Sequence, residues 1–159
     1  MHLDFKKTYT VEEAKSKLEA FCAYQERCHQ DVTKKLSQMG MIPEAQDVIV
    51  VHLIQDNYLN EERFAKAFVR GKFRIKKWGK YRLTRELRQR DIGRSLIQVA
   101  LAQINDGEYI NTLDELAKKR LNNLREINLQ KKRKKLADYL LYRGWESHLV
   151  YDKVNELIP

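Results

Sequence analysis

The sequence is poor in the residues that build turns, disulfide frameworks and membrane spans. It has only six Gly and two Pro among 159 residues, which argues against a loop-rich β architecture and favours helices. Two cysteines give no disulfide framework and point to a reducing compartment. The longest apolar run, VIVVHLI at 48–54, is too short to cross a bilayer. With no secretion-signal pattern at the N-terminus, we expect a cytoplasmic protein that does not contact membranes.

The sequence also lacks the usual signatures of catalysis. It has no Gly-rich phosphate loop, no clustered carboxylates and no nucleophile–base arrangement. Cys22, Cys28 and His29 do not have metal-ligand spacing, and a fourth ligand is missing, so we interpret both cysteines as structural. We therefore expect a protein that is not an enzyme and that needs no cofactor or metal.

What the sequence has instead is helical periodicity along most of its length. Helix starts are indicated by Thr10 with Glu13, by Asn60 followed by two glutamates, and by Thr112 with Glu115. Pro43 suits a first helical position. These signals predict nine helices, at 11–27, 30–39, 43–55, 60–77, 80–90, 93–104, 112–127, 130–143 and 146–157.

A repeat emerges from the positions where helices break. Three Leu residues each precede a break by four positions, and the breaks lie 51 and 53 residues apart; the pairs are Leu36 and Gly40, Leu87 and Asp91, and Leu140 and Gly144. Gly just past a helix end relieves the left-handed cap, whereas Asp tolerates that conformation less well. We predict an all-α chain of about three tandem three-helix repeats, stacked in a row because each is too small to bury much apolar surface alone. The predicted division is a tail at 1–9 and units at 10–57, 58–107 and 108–159. The alternative is a single nine-helix bundle.

Charge is concentrated in two stretches of a chain whose net charge is +9. Residues 66–94 hold twelve Lys or Arg against two acids, and residues 118–135 hold nine against one. The first 65 residues are net acidic. This pattern indicates a polyanionic or acidic partner.

The first basic stretch predicts a binding surface. In the helix at 80–90, Leu83 and Leu87 mark the buried side, so Arg82, Arg85 and Arg88 should occupy the exposed half. Upstream, Lys66, Arg70 and Lys77 can share one face. Trp78 and Tyr81 flank the turn at Gly79. A basic face with nearby aromatics suits phosphate contact and base stacking. From this stretch we expect the following residues to bind a partner or nucleic acid: Lys66, Arg70, Lys76, Lys77, Lys80, Tyr81, Arg82, Arg85 and Arg88.

The second basic stretch contains the run KKRKK at 131–135. The run can be interpreted as a nuclear localisation signal, but it lies in an amphipathic helix with Leu136 and Leu140. We favour an exposed helix face and add Lys131, Lys132 and Lys135 to the expected binding residues.

Several segments in sequence order resemble the RecX regulatory proteins: AYQERCHQDVTKKLSQMG, DNYLNEERFAKAFV, WGKYRLTRELRQRDI and KKLADYLLYRGW. Two motifs carry the resemblance in detail. They are Asp56, Tyr58, Leu59, Asn60, Arg63, Phe64 and Ala65, and then Gly79, Arg82, Leu83, Glu86, Leu87 and Ile92. The chain departs from the family pattern at Tyr24, Gln25 and Cys28, where an Arg-rich R-R-x-x-S segment is usual, and at Asp91, where Gly is usual.

The resemblance implies an elongated, curved body of three-helix repeats. It also implies a cytoplasmic modulator that binds the RecA recombinase filament on single-stranded DNA and inhibits its ATPase, strand-exchange and co-protease activities. Contact with single-stranded DNA would be weak and salt-dependent, and we expect a monomer. Two other hypotheses stay open: a helix-turn-helix protein that reads duplex DNA through the basic middle repeat, and a helical scaffold for an acidic partner.

Overall fold

The structure, a computed structural model, describes residues 7–159. Residues 1–6 of the predicted tail lie outside the described residues. From residue 7 onward the chain is all-helical, with no strand. The helices are α1 (Val11–Tyr24), α2 (His29–Gln38), α3 (Pro43–Gln55), α4 (Glu61–Gly71), α5 (Lys80–Gln89), α6 (Arg94–Leu101), α7 (Asp106–Asn123), α8 (Leu129–Tyr142) and α9 (Ser147–Leu157), with a π-helical turn at Lys72–Lys76 between α4 and α5.

Two of the three predicted helix starts are confirmed by their capping hydrogen bonds. The Glu13 N–H donates to Thr10 Oγ1 at 3.1 Å, and the Thr10 N–H donates to Glu13 Oε1 at 3.3 Å, which completes a capping box. At α4, Asn60 Oδ1 accepts from the Arg63 N–H at 2.9 Å. Pro43 is the first residue of α3, as predicted.

The third predicted start, at Thr112, is wrong. Helix α7 begins at Asp106, and Thr112 lies inside it. Asn105 is the cap, because its Oδ1 accepts from the N–H groups of Gly107 at 2.8 Å and Glu108 at 3.3 Å. With these N–H groups satisfied about two turns earlier, the Thr112–Glu115 spacing has no helix end to cap.

The repeat is confirmed by its three breaks, which adopt the same left-handed backbone. The φ angles are +78° at Gly40, +57° at Asp91 and +91° at Gly144. After each break, the next N–H bonds back to the carbonyl of the preceding repeat Leu, at 3.0 Å for Met41, 3.1 Å for Ile92 and 3.2 Å for Trp145. This is the hydrogen bond that closes a Schellman-type helix end. Even Asp91 is held in the conformation that Gly adopts most easily.

Helices pack in groups of three, α1–α3, α4–α6 and α7–α9. The buried side chains form two clusters. One lies within the first group and is centred on Leu18, Leu36 and Leu53. The other runs continuously through the second and third groups, from Phe64 to Ile158, and also takes in Cys28. The exact limits of the three units, drawn at 57/58 and 107/108 from the sequence, stay a prediction.

The second and third units meet at a backbone junction. The Gly79 N–H donates to the Arg143 carbonyl at 2.9 Å, and the Tyr81 N–H donates to the Gly144 carbonyl at 3.0 Å. Trp145, almost fully buried, donates its indole N–H to the Lys77 carbonyl at 3.0 Å. The Tyr109 ring packs at a tilt against Trp145, with 4.5 Å between the two ring centres. The two units therefore share both a core and hydrogen bonds.

The first and second units meet mainly through polar groups. Arg63 Nε lies 2.5 Å from Glu26 Oε1, and Gln30 donates to the Asp91 carboxylate at 2.7 Å.

None of the helices between residues 7 and 159 is long and apolar enough to cross a membrane. The same range contains no grouping of three or more potential metal ligands.

Candidate partner and nucleic-acid interface

Helix α5 presents the clearest candidate surface. Leu83 and Leu87 are fully buried, whereas Arg85 and Arg88 on the other side are exposed. Within the described chain, no carboxylate lies within ion-pair distance of either guanidinium. Tyr81, one turn before Arg85, is 63% exposed. These three side chains can therefore meet a partner without first breaking an internal contact.

Arg82 does not lie on that exposed face, so this part of the sequence prediction is wrong. Its side chain is only 18% exposed and lies 3.8 Å from Glu86. The guanidinium stacks between Trp78, at 4.3 Å, and Tyr142 of α8, at 5.1 Å. It also donates to the Tyr142 carbonyl at 3.4 Å. Arg82 therefore bridges the second and third units. The spacing of the arginines along α5 predicts which side of the helix each occupies, but it carries no information about a stacking partner 60 residues away.

Lys66, Arg70 and Lys77 do not form the single face that helical periodicity predicts. The π-helical turn shifts the register, and Lys77 ends the segment with a left-handed φ of +58°. Lys66 pairs with Glu62 at 3.5 Å. Arg70 donates to the Gln103 side chain at 2.7 Å, toward α6. Lys66 and Arg70 are therefore already engaged in contacts within their own unit.

The turn before α5 divides its residues between the interior and the surface. The Lys80 N–H donates to the Tyr109 hydroxyl at 2.9 Å, and the Lys80 ammonium lies 4.6 Å over the Tyr109 ring. Burial, together with a hydrogen bond to Glu146, raises the pKa of Tyr109 far above its ordinary value. Trp78 packs between Lys72 and Arg82, so its ring is not free to stack on a base. Lys76, in contrast, is exposed.

The second basic patch is only partly free. Lys131 at the start of α8 is exposed and Lys132 is half-buried, and over residues 7–159 neither has an ion-pair partner. Lys135 donates to Glu126 at 2.8 Å, and this hydrogen bond lowers the pKa of the Glu126 carboxyl. Lys131 lies about 16 Å along the α8 axis from Tyr142, where α5 meets that helix. The two patches therefore lie toward opposite ends of α8.

The structure also reveals cations that the sequence prediction did not single out. Arg74 on the π-helical turn is exposed, and no acid within residues 7–159 pairs with it. Lys119 and Arg120 of α7 meet Arg143, at the end of α8, in a groove that also contains Lys76. Charge density alone marks residues 118–120, but nothing in the sequence indicates that they face the π-helical turn.

Comparison with known proteins gives a consistent result. Residues 60–101 match the family description "RecX, second three-helix domain", and residues 107–154 match "RecX, third three-helix domain". The chain is 27% identical over 139 residues to "Regulatory protein RecX" of Prosthecochloris aestuarii, covering 87% of this chain and 89% of the relative. It is 31% identical over 91 residues to the protein of the same name from Lactobacillus johnsonii, covering 57% of this chain and 34% of that one.

A solved structure of RecX from Lactobacillus salivarius has the same fold. The TM-score is 0.79 at 20% identity, with 92% of this chain and 96% of that chain covered. The chain spans about half or less of the length of the first Lactobacillus relatives that it matches.

Proposed function

The chain belongs to the RecX family, and from that premise we propose that it binds the filament of the RecA recombinase on single-stranded DNA and inhibits the filament's ATPase, strand-exchange and co-protease activities. It acts as a cytoplasmic, non-enzymatic regulator and binds as a monomer. Its relatives carry the word "regulatory" in their names, which supports this class of role.

The observation that carries the proposal is the free cationic face of α5. Arg85 and Arg88 project from a helix whose other side is fixed in the core by Leu83 and Leu87. A rigid row of guanidiniums can contact both acidic side chains and phosphates, which are the two kinds of anion on a nucleoprotein filament. Many such contacts, each weak and solvent-exposed, make binding strongly dependent on salt.

The order of the units fits a ligand that repeats along an axis. Three similar units in tandem expose their surfaces in sequence, and repeat proteins commonly use such extended surfaces to bind elongated partners. The first unit differs because it is net acidic. We therefore assign filament contact to the second and third units, which carry all of the chain's net positive charge.

The test is ATP hydrolysis by the RecA protein of the same bacterium on single-stranded DNA. The protein is titrated at two salt concentrations, and circular dichroism confirms that it is folded. We expect inhibition well below one copy per recombinase subunit, relieved at the higher salt. Absence of inhibition at every ratio would overturn the proposal. Retention of one duplex sequence over others would instead support the helix-turn-helix hypothesis.

A further inference from the structure

A groove of about 470 Å³ lies where the π-helical turn of the second unit faces α7 and α8 of the third. Five cationic side chains line it: Lys76, Lys77, Lys119, Arg120 and Arg143. Glu115 is the one carboxylate in its lining. So uneven a balance of charge in one recess is the first indication that the groove accommodates an anion.

These cations are unpaired, unlike their neighbours. Lys118, one residue before the groove pair on α7, bonds to Asp114 at 2.8 Å. On α8, Lys134 bonds to Asp138 at 2.7 Å and Lys135 to Glu126 at 2.8 Å. Across residues 7–159, none of the five groove cations lies within 4.0 Å of a carboxylate. Glu115 pairs with none of them and offsets their mutual repulsion only in part, so a bound anion would be stabilised by all five.

The two guanidiniums are held in place before any ligand arrives. Arg120 and Arg143 lie over the Tyr139 ring, at 4.8 and 4.7 Å from its centre. Arg143 also donates to the Lys76 carbonyl at 2.7 Å, which ties the third unit to the π-helical turn. The Nε of Arg120 is buried and donates to no acceptor among the residues described. Planar guanidiniums fixed in this way lose little side-chain entropy on binding an oxyanion.

We propose that this groove holds the sugar–phosphate backbone of a single strand of nucleic acid. Phosphodiesters supply one negative charge per nucleotide, which suits a row of unpaired cations better than a single carboxylate does. A flexible strand can enter a recess between two units, whereas a duplex is too stiff and broad. Arg120 and Arg143 cover the Tyr139 ring, so no base can stack on it. Contacts to the sugar–phosphate backbone do not depend on base sequence.

The inference rests on the proposed function, since it names where the filament's single strand would be held. The test measures direct binding of a fluorescent oligothymidylate by anisotropy across a range of salt. The variant is Lys76→Gln/Lys119→Gln, because both side chains are exposed and their loss leaves the core intact. The matched control is Lys34→Gln, an exposed lysine of the net-acidic first unit.

Losing two phosphate contacts should reduce the slope of log affinity against log salt by about 1.4 and the affinity roughly 25-fold at 0.1 M salt. The control should match the parent protein. If the double variant loses its helical circular dichroism, Lys119→Gln is measured alone, with an expected loss of roughly fivefold.

Unchanged affinity and slope in a folded variant would overturn the groove assignment. The same proteins are titrated with ATP. If the parent protein binds ATP and the variant does not, while oligothymidylate binding is unchanged, the groove holds a free nucleotide and the assignment is overturned. The expected loss of oligothymidylate affinity upholds the groove even if the parent protein fails to inhibit RecA. In that case only the proposed function fails.

Discussion

Gly79 and Gly144 pack backbone against backbone across the junction between the second and third units. A Cβ on Gly79 would lie 2.5 Å from the Gly144 carbonyl oxygen, and a Cβ on Gly144 would overlap the side chain of Arg82. The neighbouring hydrogen bonds, from Gly79 to Arg143 and from Tyr81 to Gly144, require this close approach. The absence of two side chains therefore sets the distance between the two units.

The junction makes the repeat glycines unequal in their tolerance of substitution. Gly144→Ala imposes both a left-handed Ala and a steric clash, so we expect the free energy of unfolding to fall by about 3 kcal/mol or more. Gly40→Ala is the matched control, because its φ is also positive but nothing lies within 4 Å of the added methyl group. It should cost about 1–2 kcal/mol. Equal losses in urea unfolding would show that the junction tolerates a side chain.

Phe64 belongs to the core shared by the second and third units, where it is 7% exposed and packs 5.8 Å from the Phe68 ring. Phe64→Ala should lower the free energy of unfolding by about 3–5 kcal/mol, because it leaves a cavity. Ile75→Ala is the control, since Ile75 is 78% exposed, and it should change stability by less than about 0.5 kcal/mol. An unchanged melting temperature for Phe64→Ala would contradict its place in the core.

The arginines of α5 should separate binding from folding. Arg85→Glu/Arg88→Glu reverses two exposed, unpaired charges, so it should weaken inhibition of RecA at least tenfold while stability stays within about 0.5 kcal/mol. Arg82→Glu should instead lower the melting temperature, because it places a carboxylate beside Glu86 and removes the stacking on Trp78 and Tyr142. Full inhibition by the folded double variant would remove the α5 face from the mechanism.

Cys28 should make stability depend on pH in the alkaline range. Burial raises the pKa of its thiol from 9.0 to about 11. Below pH 9 the thiol is protonated in both folded and unfolded chains, so its contribution is constant. Between pH 9 and 11 the unfolded chain loses this proton first, and the free energy of unfolding should fall by about 1.4 kcal/mol per pH unit from this group.

The matched variant for this effect is Cys28→Ala, because the bond from the residue-28 N–H to Asp31 is a backbone interaction and is retained. Its unfolding free energy should decline less steeply than that of the parent protein over the same pH range. The unfolding free energies of both proteins are measured with urea at pH 9, 10 and 11. If they decline equally with pH, the folded thiol titrates normally.

Sequence pattern predicted the features that depend on neighbours within a few residues. The capping box at Thr10, the cap at Asn60 and the three left-handed breaks are local hydrogen-bonding and steric requirements, so spacing alone identifies them. The start at Thr112 failed because a stronger cap, Asn105, lies upstream and satisfies the N–H groups of the helix end.

The candidate site was predictable only where exposure follows from helical period, as for Arg85 and Arg88. Arg82 obeys the same period but stacks on Tyr142, which the sequence places 60 residues away. Lys77 leaves its expected face because the π-helical turn changes the register. The groove cations come from three separate segments, and no periodicity within one helix can bring Lys76 and Arg120 together.

The division of the core into two clusters has a mechanical consequence. The second and third units are joined by continuous apolar packing and by the Gly79–Gly144 contact, so they should behave as one stiff block. The first unit has its own core and meets that block largely through polar pairs such as Arg63 with Glu26. Bending should therefore concentrate where the first unit meets this block, at the polar contacts of Glu26 and Gln30. On an elongated partner that changes shape, such a molecule can keep its basic block in place while the acidic first unit reorients.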